Sequence, residues 1–372
     1  MLRPTNRLLR RQGPHQVSPA YAPGESPLPL PDGWFCVGLS SELRPGDVVS
    51  RRLGNEDLVL YRTASGLLRA TRPYCPHMGV HLGQGGTVQG EDIMCPFHQF
   101  RYGTDGVCSA TGPAYHRVPR LKLSTIPVRE SHGFMLAWLH HAGAEPSWEI
   151  PALDATGFSP PVQHLVELPG HPQEVAENVF DFGHLTGLHG EVFDGATGDA
   201  VFDEGPSAAS RGRFSMRPPL PWGMSSMAVP YEIQLHGLGH IVTTMHMPVG
   251  LVLRAIILAT PVGPWRIQLR SCLSAKLDMS TVLPSPLGAL GSSLLSSLVG
   301  RMALAMHKRR LLLPEITGDG PAWASKKYYP RPRVIDGDGP ILPYRKWAER
   351  FYPAEALRSH PAPPNPPSPT DA

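Results

Sequence analysis

A chain of 372 residues with only five cysteines has no disulfide framework. Cys36, Cys75, Cys95, Cys108 and Cys272 are an odd, scattered set, which suits a reducing compartment and leaves thiols free for metal. Charge of one sign is scarce too. The net charge is +3 and the isoelectric point about 8.6, which demands neither nucleic acid nor an acidic partner. A clean membrane span is also lacking. A spanning helix takes about 20 mostly apolar residues. The best stretch, 281–300, is broken by Pro284 and Pro286 and carries Ser292, Ser293, Ser296 and Ser297. It reads as a buried or entrance-lining helix, with contact to a membrane surface as the alternative. The start has Arg3, Arg7, Arg10 and Arg11 but no apolar run, so it does not read as a secretory signal. A plain tail is expected there rather than an organellar transit peptide. The expected location is cytoplasmic, with peripheral membrane association as the option.

What is present is loop-forming. Gly and Pro number 38 and 43, over a fifth of the chain, which favours many turns over a helical bundle. With 41% hydrophobic residues and a mean hydropathy of −0.16, the composition is that of a globular protein long enough for two cores. Residues 1–30 and 354–372 are Pro-rich and expected to be disordered. From Trp34 to Trp138 short β-like runs such as Asp57–Tyr61, Leu67–Ala70 and Phe134–Trp138 alternate with Gly and Asp turns. Residues 31–141 therefore read as a small antiparallel β domain, and 142–151 as a linker. Residues 152–353 read as a mixed domain. It has a helix over Gln173–Leu188, strands over Tyr231–Leu235, His240–Met245, Leu251–Thr260 and Trp265–Leu273, and a helical stretch from Leu287 to Leu312.

Two constellations carry chemistry. The first is Cys75-Pro76-His77 and Cys95-Pro96-Phe97-His98, with 17 residues between the halves. Two Cys and two His could hold one zinc, or a [2Fe–2S] cluster with two thiolates on one iron and two imidazoles on the other. Zinc sites usually pair like with like; here each loop supplies one Cys and one His, as needed when each loop serves both irons. Gly79, Gly83, Gly85 and Gly86 would let the backbone approach the sulfurs. The motif resembles the Rieske [2Fe–2S] domain over about residues 32–140. His81 lies off the ligand pattern and reads as a surface or supporting histidine, and Cys36 and Cys108 as ordinary buried thiols.

The second is Glu177-Asn178-Val179-Phe180-Asp181-Phe182-Gly183-His184-Leu185-Thr186-Gly187-Leu188-His189. Asp181 and His184 are three apart and share a helix face. His184 and His189 are five apart and can reach one metal only if the helix bends or ends between them, which Gly183 and Gly187 permit. Two histidines and a carboxylate on one face of a metal form the triad of oxygen-activating iron(II) enzymes. The string resembles the iron-binding helix of Rieske non-haem iron oxygenase α subunits. The resemblance implies an α+β chain: an all-β Rieske domain, then a helix-grip (START-like) domain holding a mononuclear iron.

Further expectations rest on that resemblance. His184 and His189 are iron ligands. The third is an Asp or Glu just before an aromatic stretch; Asp319 in Asp319-Gly320-Pro321-Ala322-Trp323 fits, ahead of Glu315 and Asp278, although the same residues also make good turn chemistry. Asp181 bridges a cluster histidine, His98 or His77, to His184 or His189 of the next subunit in a homotrimer. A separate NAD(P)H-dependent reductase or ferredoxin supplies electrons, dioxygen is the cosubstrate, and a bulky hydrophobic molecule is hydroxylated or desaturated. Tyr329–Val334, Gly337–Ile341, Tyr344–Trp347 and Phe351-Tyr352 resemble the 3-ketosteroid 9α-hydroxylase and cholesterol 7-desaturase branch, which implies a steroid or sterol. Ala322-Trp323-Ala324 and the apolar stretch 279–300 depart from that branch, so the pocket is expected to differ. The rival readings are an aromatic-ring hydroxylating oxygenase and a non-catalytic Rieske electron-transfer or lipid-binding protein.

The cluster reading has a visible consequence. The purified protein should be red-brown and the Cys75→Ser and Cys95→Ser variants should not; a colourless wild type containing zinc would overturn it.

Overall fold

The computed structural model describes residues 20–217, 226–277, 287–307 and 318–359. The first domain is built from three small antiparallel sheets. Strand Gly33–Leu39 pairs with Phe134–Leu139, which pairs in turn with Val128–Ser131. A second sheet runs through Val48–Leu53, Glu56–Arg62, Leu68–Thr71 and Thr125–Ile126. The third, from Thr87 to Ala110, carries the second Cys–His loop.

The second domain is a seven-stranded antiparallel sheet. From one edge its order is Val162–Pro169, Arg266–Leu277, Leu251–Gly263, His240–His246, Met227–His236, Ser207–Met216 and Phe193–Phe202. The expected strands are present, but two ten-residue strands at one edge were not anticipated, because Phe193–Phe202 is rich in Gly, Asp and Ala. Successive residues of a strand point to opposite faces, and both faces here are covered. Ile256 and Leu258 face the first domain, packing with Val242 and Cys272 against Trp34, Cys36, Phe134 and Trp138. Ala255 and Ile257 face a cavity on the other side. The Thr260 hydroxyl donates to the Cys36 carbonyl at 2.6 Å and Gly54 N–H to the Pro261 carbonyl at 2.7 Å, so the two domains share an apolar seam tied by hydrogen bonds.

Where one helix was expected over 173–188 there are two: α1 (Pro172–Glu177) and α2 (Phe182–Gly187). The long helix α3 (Leu287–His307) crosses the sheet at strands Arg266–Leu277 and Val162–Pro169, giving the helix-grip arrangement. The expected continuation to Leu312 lies outside the described residues. Short helices α4 (Asp319–Ser325), α5 (Ile341–Ala348) and α6 (Ala354–Ser359) close the domain. No helix among the described residues is long and apolar enough to cross a membrane.

Three segments are more ordered than their composition suggests. Within the arm, Leu28 is buried and Tyr21 meets the Trp265 ring edge-on at 4.8 Å. In the linker the Trp148 carbonyl accepts from Trp34 Nε1 at 2.8 Å, and its ring packs on Trp138. In the tail, 354–359 forms α6, while residues 1–19 and 360–372 lie outside the described residues.

The arm is held partly by His171. This buried ring caps α1, its Nδ1 accepting from Gln173 N–H at 3.2 Å, while its Nε2 donates to the Pro29 carbonyl at 3.1 Å. Only the neutral ring can do both, and burial pushes its pKa down from 6.5 to about 4. The folded chain thus resists a proton that the unfolded chain accepts. The resulting stabilisation, on the order of 3 kcal/mol, is complete above the unfolded value and is lost as pH falls towards 4. Urea unfolding across that window should show the loss. His171→Asn, which can cap without titrating, should flatten the slope; an unchanged slope would exclude His171 as its source.

Candidate functional site

The two Cys–His loops of the first domain are built alike. Cys75 N–H donates to the Val80 carbonyl and Gly79 N–H to the Cys75 carbonyl, both at 2.9 Å. In the second loop Cys95 N–H donates to Phe100 at 2.8 Å and Gln99 N–H to Cys95 at 3.0 Å. The fourth residue after each cysteine has positive φ: Gly79 at 75° and Gln99 at 57°. A non-glycine residue held there indicates a loop over-determined by its surroundings. The loops bury both thiols and bring the His77 and His98 rings to 4.8 Å between centroids. Phe100 stacks on His77 at 4.4 Å, Tyr115 stands edge-on to both imidazoles, and the Tyr102 hydroxyl lies 3.1 Å from Cys75 Sγ. Burial, then the neighbouring Cys75 sulfur among its causes, pushes the Cys95 thiol up. Two thiols crowded in an apolar site, and a buried His77 Nδ1 with no hydrogen-bond partner, fit a metal cluster better than a protein-only core. His81 is turned away: its Nδ1 accepts from Gly83 N–H at 3.1 Å and its Nε2 lies 3.5 Å from Asp57.

The second constellation forms at the break between α1 and α2. Asp181 is the N-cap of α2, its Oδ1 accepting from His184 N–H at 3.1 Å, so it does not share a helical face with His184 as expected. Phe182 N–H leaves the helical ladder to donate to the Asp338 carbonyl at 3.1 Å. The turn at Gly337–Gly339 is held against this break; a Cβ at Gly339 would sit 2.3 Å from the Phe180 carbonyl oxygen. α2 ends at Gly187, and His189 comes back to face His184 with centroids 5.4 Å apart. Asp319 enters from the first turn of α4, not from an isolated turn, and its Oδ1 lies 3.0 Å from His189 Nε2. The donor atoms of His184, His189 and Asp319 all lie within 4.8 Å of one another. Glu315 and Asp278 are outside the described residues.

Hydrogen bonding sets the ring tautomer of His184. Its Nδ1 donates to the Asp181 carbonyl, leaving Nε2 with the lone pair. Burial alone would lower its pKa, but the hydrogen bond to Asp181 and the charges of Asp319 and Asp181 raise it. The Asp181 carboxyl, although also partly buried, is held below its usual value by His184. His189 is buried, and its Nδ1 has no partner.

Two supports were not foreseen. Asn178 Nδ2 donates to Asp319 Oδ1 at 3.1 Å. Behind it, Glu174 and Glu177 project from buried α1 onto two cations. Lys326 Nζ reaches Glu174 at 2.7 Å and Glu177 at 2.9 Å, and Arg345 binds Glu177 at 2.5 and 2.9 Å. Two glutamates three apart, on one face of a helix, are the signal that the sequence offers. Glu174, with no cation at such close double range, is pushed up by burial and by Glu177, whereas Glu177 is held low by Arg345 and Lys326 in spite of burial.

A cavity of about 200 Å³ opens beside the His–His–Asp group. Its walls are apolar, including Val179, Phe193, Phe214, Ile233, Ile257, Leu269 and Trp323, and its few polar residues include Asn178, Thr243 and Ser271.

Comparison with known proteins agrees with both halves. Residues 33–122 match the Rieske [2Fe-2S] domain, and residues 137–281 match the 3-ketosteroid 9α-hydroxylase C-terminal domain. The chain is therefore a Rieske oxygenase. Within that family it is 28% identical over 344 residues to a cholesterol 7-desaturase of Ciona intestinalis, covering 88% of this chain and 69% of the relative. It is 26% identical over 353 residues to the probable 3-ketosteroid-9-alpha-monooxygenase oxygenase component of Rhodococcus rhodochrous, covering 88% and 82%. A crystal structure of dicamba monooxygenase bound to 3,6-dichlorosalicylic acid shares the fold with a TM-score of 0.65 at 15% identity, covering 86% of this chain and 96% of that one.

The charges behind the site give a stability test. Arg345→Met leaves the buried Glu177 short of a cation and should cost about 3–5 kcal/mol by urea unfolding. Lys346→Met, which removes an exposed pair with Glu349, should cost about 0.5 kcal/mol or less. Equal costs would mean that the buried network does not hold α1 to α5.

Proposed function

We propose that His184, His189 and Asp319 hold a mononuclear iron, that Cys75, His77, Cys95 and His98 hold the [2Fe–2S] cluster, and that the chain oxidises a C–H bond of a sterol or steroid, by hydroxylation or desaturation. The observation that carries this is the convergence of two histidines and a carboxylate on the end of a cavity whose other walls are apolar. Iron held by such a donor set would supply the dioxygen chemistry, and the cluster would supply its electrons.

The protein's own residues prepare that chemistry. The apolar walls exclude water and orient a fused-ring skeleton by shape, since so few polar groups are available to hold one by hydrogen bonds. Asp181 fixes α2 and the His184 tautomer, which aims a lone pair at the convergence point. Asn178 holds one Asp319 oxygen and thereby sets the carboxylate's orientation. Both the Ciona and the Rhodococcus relatives carry sterol or steroid names, and the latter is an oxygenase component, which supports a separate reductase or ferredoxin as electron donor. We assign the side chain of Asp181, about 31% exposed, to receive a cluster-histidine N–H from a neighbouring copy in a homotrimer. Five buried cysteines with no disulfide between them support a reducing compartment.

Single turnover tests the reading. Protein with its cluster pre-reduced is mixed with oxygen and a panel of sterols, 3-ketosteroids and aromatic acids, and products are weighed by mass spectrometry. A steroid that gains oxygen or loses hydrogen supports it; conversion of an aromatic acid alone sinks the substrate class. Asp319→Ala should abolish turnover with the cluster spectrum intact, and Asn178→Ala should weaken iron binding by about 10–100-fold. Full turnover in Asp319→Ala would remove it from the ligand set.

A further inference from the structure

Helix α3 is amphipathic in the wrong sense for a helix that only covers a core. Its inward side is small: Ser296, Gly300 and Ala303 are buried against the sheet. Ser296 Oγ accepts from Leu277 N–H at 2.9 Å, and a Cβ at Gly300 would meet Ser159 Oγ at 3.4 Å. Beside Val299 and Leu304, which pack inward, four large side chains point out. Leu294, Leu298 and Met302, each one turn from the next, are 67%, 54% and 64% exposed, and Leu295 is 37% exposed beside them. Isolated exposed leucines are ordinary, but a contiguous apolar stripe marks a contact surface.

Charge and position indicate what touches it. Helix α3 contains no Asp or Glu, and its one Arg or Lys, Arg301, is exposed beside the stripe. A helix face whose one charge is positive offers a second copy no acidic partner of its own and favours an anionic partner. Apolar side chains interspersed with basic ones suit the interface of an anionic bilayer. The stripe also adjoins the cavity. Met245 and Ala255 line that cavity and pack in the same cluster as Val299, Ala303 and Leu304 of α3. Apolar surface thus runs from the cavity wall through the helix to the outside.

We propose that the outer face of α3 docks the protein on an anionic phospholipid surface, delivering a membrane-dissolved substrate to the cavity. The delivery half rests on the sterol reading above; the docking half does not. Because docking is peripheral, it needs no spanning helix.

The test is flotation of the full-length holoprotein with phosphatidylcholine vesicles, with and without phosphatidylglycerol. The wild type should float with the anionic vesicles and bind neutral ones weakly. Leu294→Gln/Leu298→Gln/Met302→Gln should lose about tenfold or more of the bound fraction, and Arg301→Glu should lose less and only with anionic vesicles. An unchanged visible spectrum certifies the variants as folded. No flotation of the wild type, or equal flotation of the triple variant, overturns docking. So does a wild-type oligomer that the triple variant dissociates, since a second copy would then cover the stripe. Turnover separates the two readings. The triple variant should slow with vesicle-borne cholesterol and match the wild type when cyclodextrin delivers it. Flotation lost in the triple variant, with cholesterol inert by either route, would support docking and fault the sterol assignment instead.

Discussion

The arrangement depends on one sheet having two buried faces. In strand Leu251–Gly263 alternate residues serve different neighbours: Ile256 and Leu258 pack on the first domain, while Ala255 and Ile257 wall the cavity. A slip of one residue would exchange the two sets. Such a strand cannot tolerate a polar face, and Leu251–Gly263 duly contains Arg254 as its only charge, in the half beyond the seam. The result is a fixed relation between the domains, because the layer that closes one core also closes the other.

The second constraint is the broken helix. A continuous helix over 173–188 would place His184 on the regular ladder and leave His189 well around the axis. Breaking it at Asn178–Asp181 releases backbone groups that need partners. Asp181 satisfies His184 N–H, and the Asp338 carbonyl satisfies Phe182 N–H. The segment before the break is then free to serve another purpose. α1 is buried throughout, and its two glutamates fasten it to Lys326, directly after α4, and to Arg345 on α5. Asp319 begins α4, so the same ion pairs that hold α1 also set the distance between Asp319 and the histidines.

Legibility in the sequence followed the range of the interactions. The Cys–His loops were readable because each is closed by bonds between neighbours in the chain, and spacing alone fixes which residues meet. The histidine pair was readable for the same reason, including the need for the helix to end near Gly187. The break at 178–181 was not, because it is stabilised by a turn some 155 residues downstream whose glycine permits the contact. Strands Phe193–Phe202 and Ser207–Met216 were hidden by small and polar residues; they are strands because they pair with each other and with Met227–His236. The end of the arm, from Ala20 to Leu30, is ordered where its composition suggests disorder. Proline-rich chain looks disordered until a buried His171 and Trp265 give it a place to dock.

The carboxylates of Glu177 and Asp319 sit in opposite electrostatic surroundings. Glu177 lies a few residues from the site and meets Lys326 and Arg345 at hydrogen-bonding distance. Asp319, itself mostly buried, has as its hydrogen-bond partners among the described residues only Asn178 Nδ2 and His189 Nε2. A buried carboxylate without a paired cation is costly unless something positive comes to it. Among the described residues lysine and arginine stand one layer behind, where they stabilise the scaffold, and none lines the cavity. The hydrogen bond to Asp181 and the charges of Asp319 and Asp181, which push the His184 pKa up against its own burial, favour positive charge at the point where the three donors meet. Withholding a protein cation there, while supplying three convergent donors and apolar walls, is what a metal centre requires and a structural ion pair does not.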